Sequence, residues 1–166
     1  MKKVWSLFLS TALVLVAASV GAQQAAAPPP PPAYGSPISL DMAKKVVAGA
    51  EAEAKKNNWN VVIAVLDAGG NLVVLHRMDG AQFGSIEVAR EKAYSAVAFR
   101  RPTKVFEDAV GQGGMNLRLL RLSGASVLEG GLPLVVDGKL VGGIGVSGVT
   151  SAQDGQIAKA GTDALK

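Results

Sequence analysis

The sequence predicts an α+β domain in which an antiparallel sheet carries helices on both faces. Three observations point there. Two stretches, VVIAVL-DAGG-NLVVLHRM and PLVV-DG-KLVGGIGVS, read as strand, short turn, strand. Segments with helical spacing of apolar residues precede, separate and follow these hairpins. The run Val61–Leu66 is apolar at every position, as in a strand covered on both sides. Helices alternating with hairpins around such a strand give a layered sheet.

In chain order, residues 1–22 read as a secretory leader: Lys2 and Lys3 start it, an apolar stretch follows, and Val20-Gly21-Ala22 offers a small-residue cleavage site. Its strongly apolar run, Ala12 to Ala18, is short of the roughly 20 residues a spanning helix needs. Residues 23–38 form a Pro/Ala-rich linker whose five prolines, Pro28 to Pro32, favour an extended polyproline spacer. The domain is expected over 39–166. Leu40, Ala43, Val47, Ala50 and Ala54 line one face of a first helix, with Ser39 as N-cap and Asn57-Asn58 as its end. The first hairpin follows. On its second strand Leu72, Val74, His76 and Met78 share one face, and Val73, Leu75, Arg77 and Asp79 the other.

A second helix is predicted from Ser85 to Arg101 through Ile86, Ala89, Ala93 and Val97, and Pro102 stops it. Thr103 is placed to cap a short helix through Ala109. From Gly111 to Gly124 the leucines fit no clean period, and the stretch reads as mobile or ligand-dependent. Asp137-Gly138 is a strong hairpin signal between Pro133–Val136 and Leu140–Ser147, and a last helix runs from Ser151 to Leu165. Gly142, Gly143 and Gly145 weaken the last strand unless another backbone or a ligand comes close.

Composition removes several classes of function. The chain has 166 residues, no cysteine and one histidine, which excludes disulfides, thiol nucleophiles and zinc sites of nitrogen and sulfur ligands. Its formal charge is +4, but loss of Lys2 and Lys3 with the leader would leave 15 basic against 13 acidic side chains, a net +2. With no cluster of four basic residues beyond the leader and 5% aromatics, nucleic acid is not an expected partner. The glycines of the last strand are not at a strand-to-helix turn and make no dinucleotide fingerprint.

Four blocks in order, VVIAVLDAGGNLVVLHRMDGA, EKAYSAVAFRRPT, EGGLPLVVDGKLVGGIGVSG and Gln153-Asp154, resemble the GlcG/HbpS-like family, whose domain also forms the C-terminal half of PduO-type proteins. The resemblance runs from about Ser39 to the C-terminus. It implies a profilin-like fold with a five-stranded antiparallel sheet between helices, haem or, less often, corrinoid as ligand, and assembly into dimers or higher homo-oligomers. The proline run and Gly148-Val149 depart from the family pattern.

The candidate ligand residues are His76, Arg77, Lys92 and Thr103. His76 is the leading candidate for an iron contact because neutral imidazole binds haem iron, although a solvated or hydrogen-bonded strand histidine is the simpler reading of it. Met78, Met115 and Tyr94 are other conceivable axial ligands. Arg77 is suited to a propionate held by two parallel hydrogen bonds, with Asp79 orienting it, or to a structural pair at the strand end. Lys92 is either an anion contact or a solvated lysine; no acid stands three or four residues away. Thr103 and the amides after it suggest an anion site. These residues are expected to border a cleft between the second strand's end, the following helix and segment 111–124.

The leading reading is a periplasmic or secreted haem-binding protein that buffers, senses or slowly degrades haem. Two others stay open: an accessory protein or enzyme for a small anionic metabolite or corrinoid, and a non-catalytic module docking an exported sensor with the proline segment as spacer. Whether the domain is an enzyme is open at this level.

Overall fold

Two chemically different layers enclose one five-stranded sheet. The computed structural model describes residues 29–166, so the expected leader 1–22 and the first linker residues lie outside the described part. The elements are β1 Ala33–Tyr34, α1 Leu40–Lys56, β2 Val62–Asp67, β3 Leu72–Arg77, α2 Ser85–Ala98, α3 Lys104–Gly111, a 3-10 segment Gly114–Arg121, β4 Gly131–Val136, β5 Lys139–Ser147 and α4 Ser151–Asp163. No helix among the described residues is long and apolar enough to cross a membrane.

The sheet order is β4-β5-β2-β3, every neighbour antiparallel, with β5 at the hub. β2 is buried from Val62 to Leu66, as its apolar run requires, and only Asp67 at its end is partly exposed. Its two-residue alternation splits the core. Ile63 and Val65, with Ile144 and Val146 of β5, pack under α1 and α4, where Val46, Ala50 and Ile157 meet them. Val62, Ala64 and Leu66 face α2 through Ala89 and Ala93.

Local chemistry fixes the ends of these elements. The Ser39 hydroxyl accepts from the Met42 amide at 3.3 Å and starts α1. Thr150 and Gln153 form a reciprocal capping box at α4. Asp137 and Gly138 both take positive φ, 50° and 73°, the geometry of a two-residue turn matched to strand twist.

Three features differ from the expectation. The sheet is mixed, because β1, drawn from the supposed linker, pairs parallel with Lys139 and Leu140 on the β5 edge that β2 leaves free. The Tyr34 hydroxyl donates to the carbonyls of Val97 and Ala98 at the end of α2, and Arg100 lies over its ring. The domain therefore starts before Ser39. Second, α2 ends at Ala98 rather than Arg101, and Arg100 adopts φ 51°. Third, β3 is an edge strand, so Leu72 and Leu75 are exposed instead of sandwiched.

Candidate functional site

The four nominated residues divide between two places. Lys92 and Thr103 are buried at the sheet centre; His76 and Arg77 stand at its open edge.

The central pair is set by glycine. Gly143 and Gly145 of β5 and Gly131 of β4 face α2, and a Cβ on any of them would strike α2 backbone. The missing side chains let the helix sit directly on the strands. Lys92, on that close-packed helix, is 1% exposed. Its ammonium donates to Asp154 Oδ2 at 2.7 Å and to the Val146 carbonyl at 3.0 Å. Asp154, near the start of α4, also accepts from the Val149 amide at 3.2 Å. Burial pushes the Asp154 carboxyl up from its ordinary value, against the opposing pull of Lys92 and the amides of Val149 and Gly148. Lys92 is thus neither a solvated lysine nor an anion contact: it links α2, β5 and α4.

Thr103 is corrected in the same way. It is fully buried with helical φ and makes no side-chain cap; its hydroxyl accepts from the Gly131 amide at 2.9 Å, tying the start of α3 to β4. Both groups are spent inside the fold. Sequence reasoning missed Asp154 as the partner of Lys92, though one signal was present: a helical lysine with no acid at either favourable spacing needs a partner elsewhere.

The edge pair lies beside a cleft of about 320 Å³ lined by Glu51, Lys55, Asn60 and the strand end His76–Asp79. Pairing opposite Ile63 turns His76 toward α1, where its Nε2 lies 3.6 Å from Glu51 Oε1. Lys55 reaches the same carboxylate oxygen at 2.6 Å. That hydrogen bond, then the nearby imidazole and ammonium, hold the Glu51 carboxyl below its ordinary value, against partial desolvation. Among the described residues Arg77 has no carboxylate within ion-pair distance, so Asp79 does not orient it. The cleft combines one imidazole, a thioether at Met78 and two cations with a carboxylate behind the ring. Histidines that ligate metals commonly donate their other ring N–H to a carboxylate, and Glu51 at 3.6 Å is near that position without forming the hydrogen bond. No group of three or more His, Asp or Glu among the described residues could hold a bare metal ion.

Segment 111–124 does not border this cleft. Its 3-10 turn has no buried residue and leaves Met115, Leu117 and Leu120 exposed.

The model of the family described as "Haem degrading protein HbpS-like" matches residues 38–163. The chain belongs to the HbpS-like family. Among relatives of this HbpS-like chain, Protein GlcG of Escherichia coli K12 is 44% identical over 110 residues, covering 66% of this chain and 81% of GlcG. The crystal structure of HbpS superposes with a TM-score of 0.72 at 34% identity, over 80% of this chain and 92% of HbpS. A PduOC:haem complex superposes with a TM-score of 0.71 at 31% identity, over 78% of this chain and 96% of PduOC. The fold is therefore that of HbpS, and the α+β class read from the sequence holds.

Proposed function

We propose that this HbpS-like chain binds haem at the β3 edge, in the cleft of His76, Arg77 and Lys55. One observation carries the reading: the chain's single imidazole stands in a cleft with Arg77, which has no carboxylate partner among the described residues, and with Lys55, whose Glu51 partner a ligand carboxylate would have to displace. Membership of a family described as haem-degrading and the likeness to a PduOC:haem complex support it. His76 would hold the iron and Arg77 and Lys55 the propionates. Bound haem would supply redox and ligand-binding chemistry at its iron, while the protein orients and shields it.

At about 320 Å³ the cleft is at the small end for ligand sites, so it grips an edge of the macrocycle. The uncovered remainder and the exposed Leu72 and Leu75 favour completion by a second copy, hence a homo-oligomer. The leader-like residues 1–22 support export to the periplasm or beyond, where the protein would buffer, sense or slowly degrade haem.

The test is a haemin titration of the purified protein followed at the Soret band, with cobalamin in parallel. Saturable binding of haemin alone, lost in His76→Ala, is the expected result. Binding that survives His76→Ala would move the iron contact elsewhere, and no saturable response to haemin would end the reading. A response to cobalamin instead would select the corrinoid alternative.

A further inference from the structure

On the opposite side of the sheet from α1, a second groove runs between the β2–β3 turn, α2 and the loop 124–126. Tyr94 divides it into chambers of about 420 and 300 Å³ that share Gly70 and Tyr94 as walls. The ring of Tyr94 is 46% exposed yet held on two sides. Gly70 (φ 81°) and Gly124 (φ 77°) flank it, and a Cβ on either would come within 3.1 and 2.9 Å of its ring carbons. Both positions need glycine for their backbone angle and for the ring's place. A half-exposed aromatic fixed this way is pre-positioned at little cost to a ligand.

The charges select the ligand. Glu87, Arg90 and Glu91 line the larger chamber above Leu66. Arg90 is taken by Glu87 at 2.8 Å, and among the described residues Glu91 has no ion-pair partner. One carboxylate is left beside an open aromatic face and a buried leucine, an arrangement that attracts cations and repels carboxylates.

We propose that the Tyr94 groove is a separate binding site for a small organic cation with an aromatic body, its ammonium between Glu91 and the Tyr94 ring and its apolar part over Leu66. The site is independent of the haem cleft. With Arg90 paired to Glu87 and Glu91 left over, its lining carries a net negative charge that disfavours a dianionic porphyrin.

The probe is benzylammonium, with benzoate as its anionic counterpart, added to the intact protein and followed by ligand-observed NMR. Saturable benzylammonium binding, weakened by salt, and no benzoate binding are expected. Tyr94→Ala should weaken binding at least tenfold and Glu91→Gln several-fold, while Tyr94→Phe, which keeps the ring and the packing, should retain it. Glu91→Gln should not change the haemin titration. Absence of saturable benzylammonium binding, equal binding of benzoate, or binding indifferent to both Glu91→Gln and Tyr94→Ala would overturn the proposal; because Tyr94→Phe and Glu91→Gln keep the fold's contacts, a misfolded alanine variant does not decide the matter.

Discussion

Lys92 and Arg77 are both cations, one on the helix that covers the sheet and one on its edge strand, and the structure gives them opposite fates. Lys92 lies where three strand glycines draw α2 onto β4 and β5; Arg77 lies at the exposed end of the edge strand. At the centre, a polar group without a partner would lose its hydration with nothing in return, so Lys92 has Asp154 and Thr103 has Gly131. At the edge solvent can hydrate polar groups, so Arg77 stands without a carboxylate partner among the described residues and His76 has only the loose 3.6 Å approach of Glu51. Chemical type therefore did not distinguish fixed groups from available ones. Depth in the sheet did.

This contrast predicts its largest effect at the buried pair. Lys92→Ala leaves Asp154 without its ammonium in a buried site and should cost about 3–5 kcal/mol of unfolding free energy, read by urea denaturation. Lys92→Met with Asp154→Leu should recover much of that loss, since an apolar pair leaves no unpaired charge. A single mutant that loses less than about 1 kcal/mol would place the pair in a hydrated environment and undo the contrast.

The glycines that create the buried zone come next. Gly145→Ala puts a methyl against the α2 backbone at Ala89, which cannot swing aside as a side chain would. Overpacking of this kind should cost about 1–3 kcal/mol. Thr103→Val, nearly isosteric, leaves the buried Gly131 amide without the hydroxyl it donates to, and about 1–3 kcal/mol is expected from thermal or chemical unfolding. If Thr103→Val were neutral in stability but damaged haemin binding, the hydroxyl would belong to the ligand site after all.

The edge should behave in reverse. Arg77→Ala should leave stability within about 0.5 kcal/mol, as exposed substitutions do, and weaken haemin binding about tenfold through loss of a charge-assisted contact. Unchanged affinity would remove Arg77 from the site.

How much of this could be read beforehand follows the same division by depth. Short-range chemistry was legible: Ser39 as N-cap, Asp137-Gly138 as a turn, and the β5 glycines as a sign of close backbone approach. These depend on residues within a turn of one another or on steric needs only glycine meets. β1 was hidden because two residues within a proline- and alanine-rich stretch have no periodicity, and its partner strand lies over a hundred positions away. The exposure of β3 was hidden because apolar residues on both faces look alike in a central strand and in an edge awaiting a partner. Among the candidate residues, the position of His76 and Arg77 at the end of a strand was legible, whereas the burial of Lys92 required knowledge of which helix face meets glycine, which the helix's own sequence does not contain.

The smallest expected effect lies where α1 and α4 meet at the surface. Hydrogen bonds from Gln156 and Asn57 lower the Glu53 carboxyl from its ordinary value of 4.5, and Lys56 adds to this against slight desolvation. Because the folded value lies below the unfolded one, the contribution is complete above the ordinary glutamate range and is lost as pH falls through the lowered folded value. Glu53→Gln should therefore remove a small contribution at neutral pH, where it is fully present, and leave stability in acid below the lowered folded value unchanged, so that the acid limb of the stability profile flattens slightly. A loss that persists undiminished in acid, where Glu53 is protonated, would mean that Glu53 acts by packing α1 against α4 rather than by its charge, and the surface would then share the geometric dependence seen at the centre.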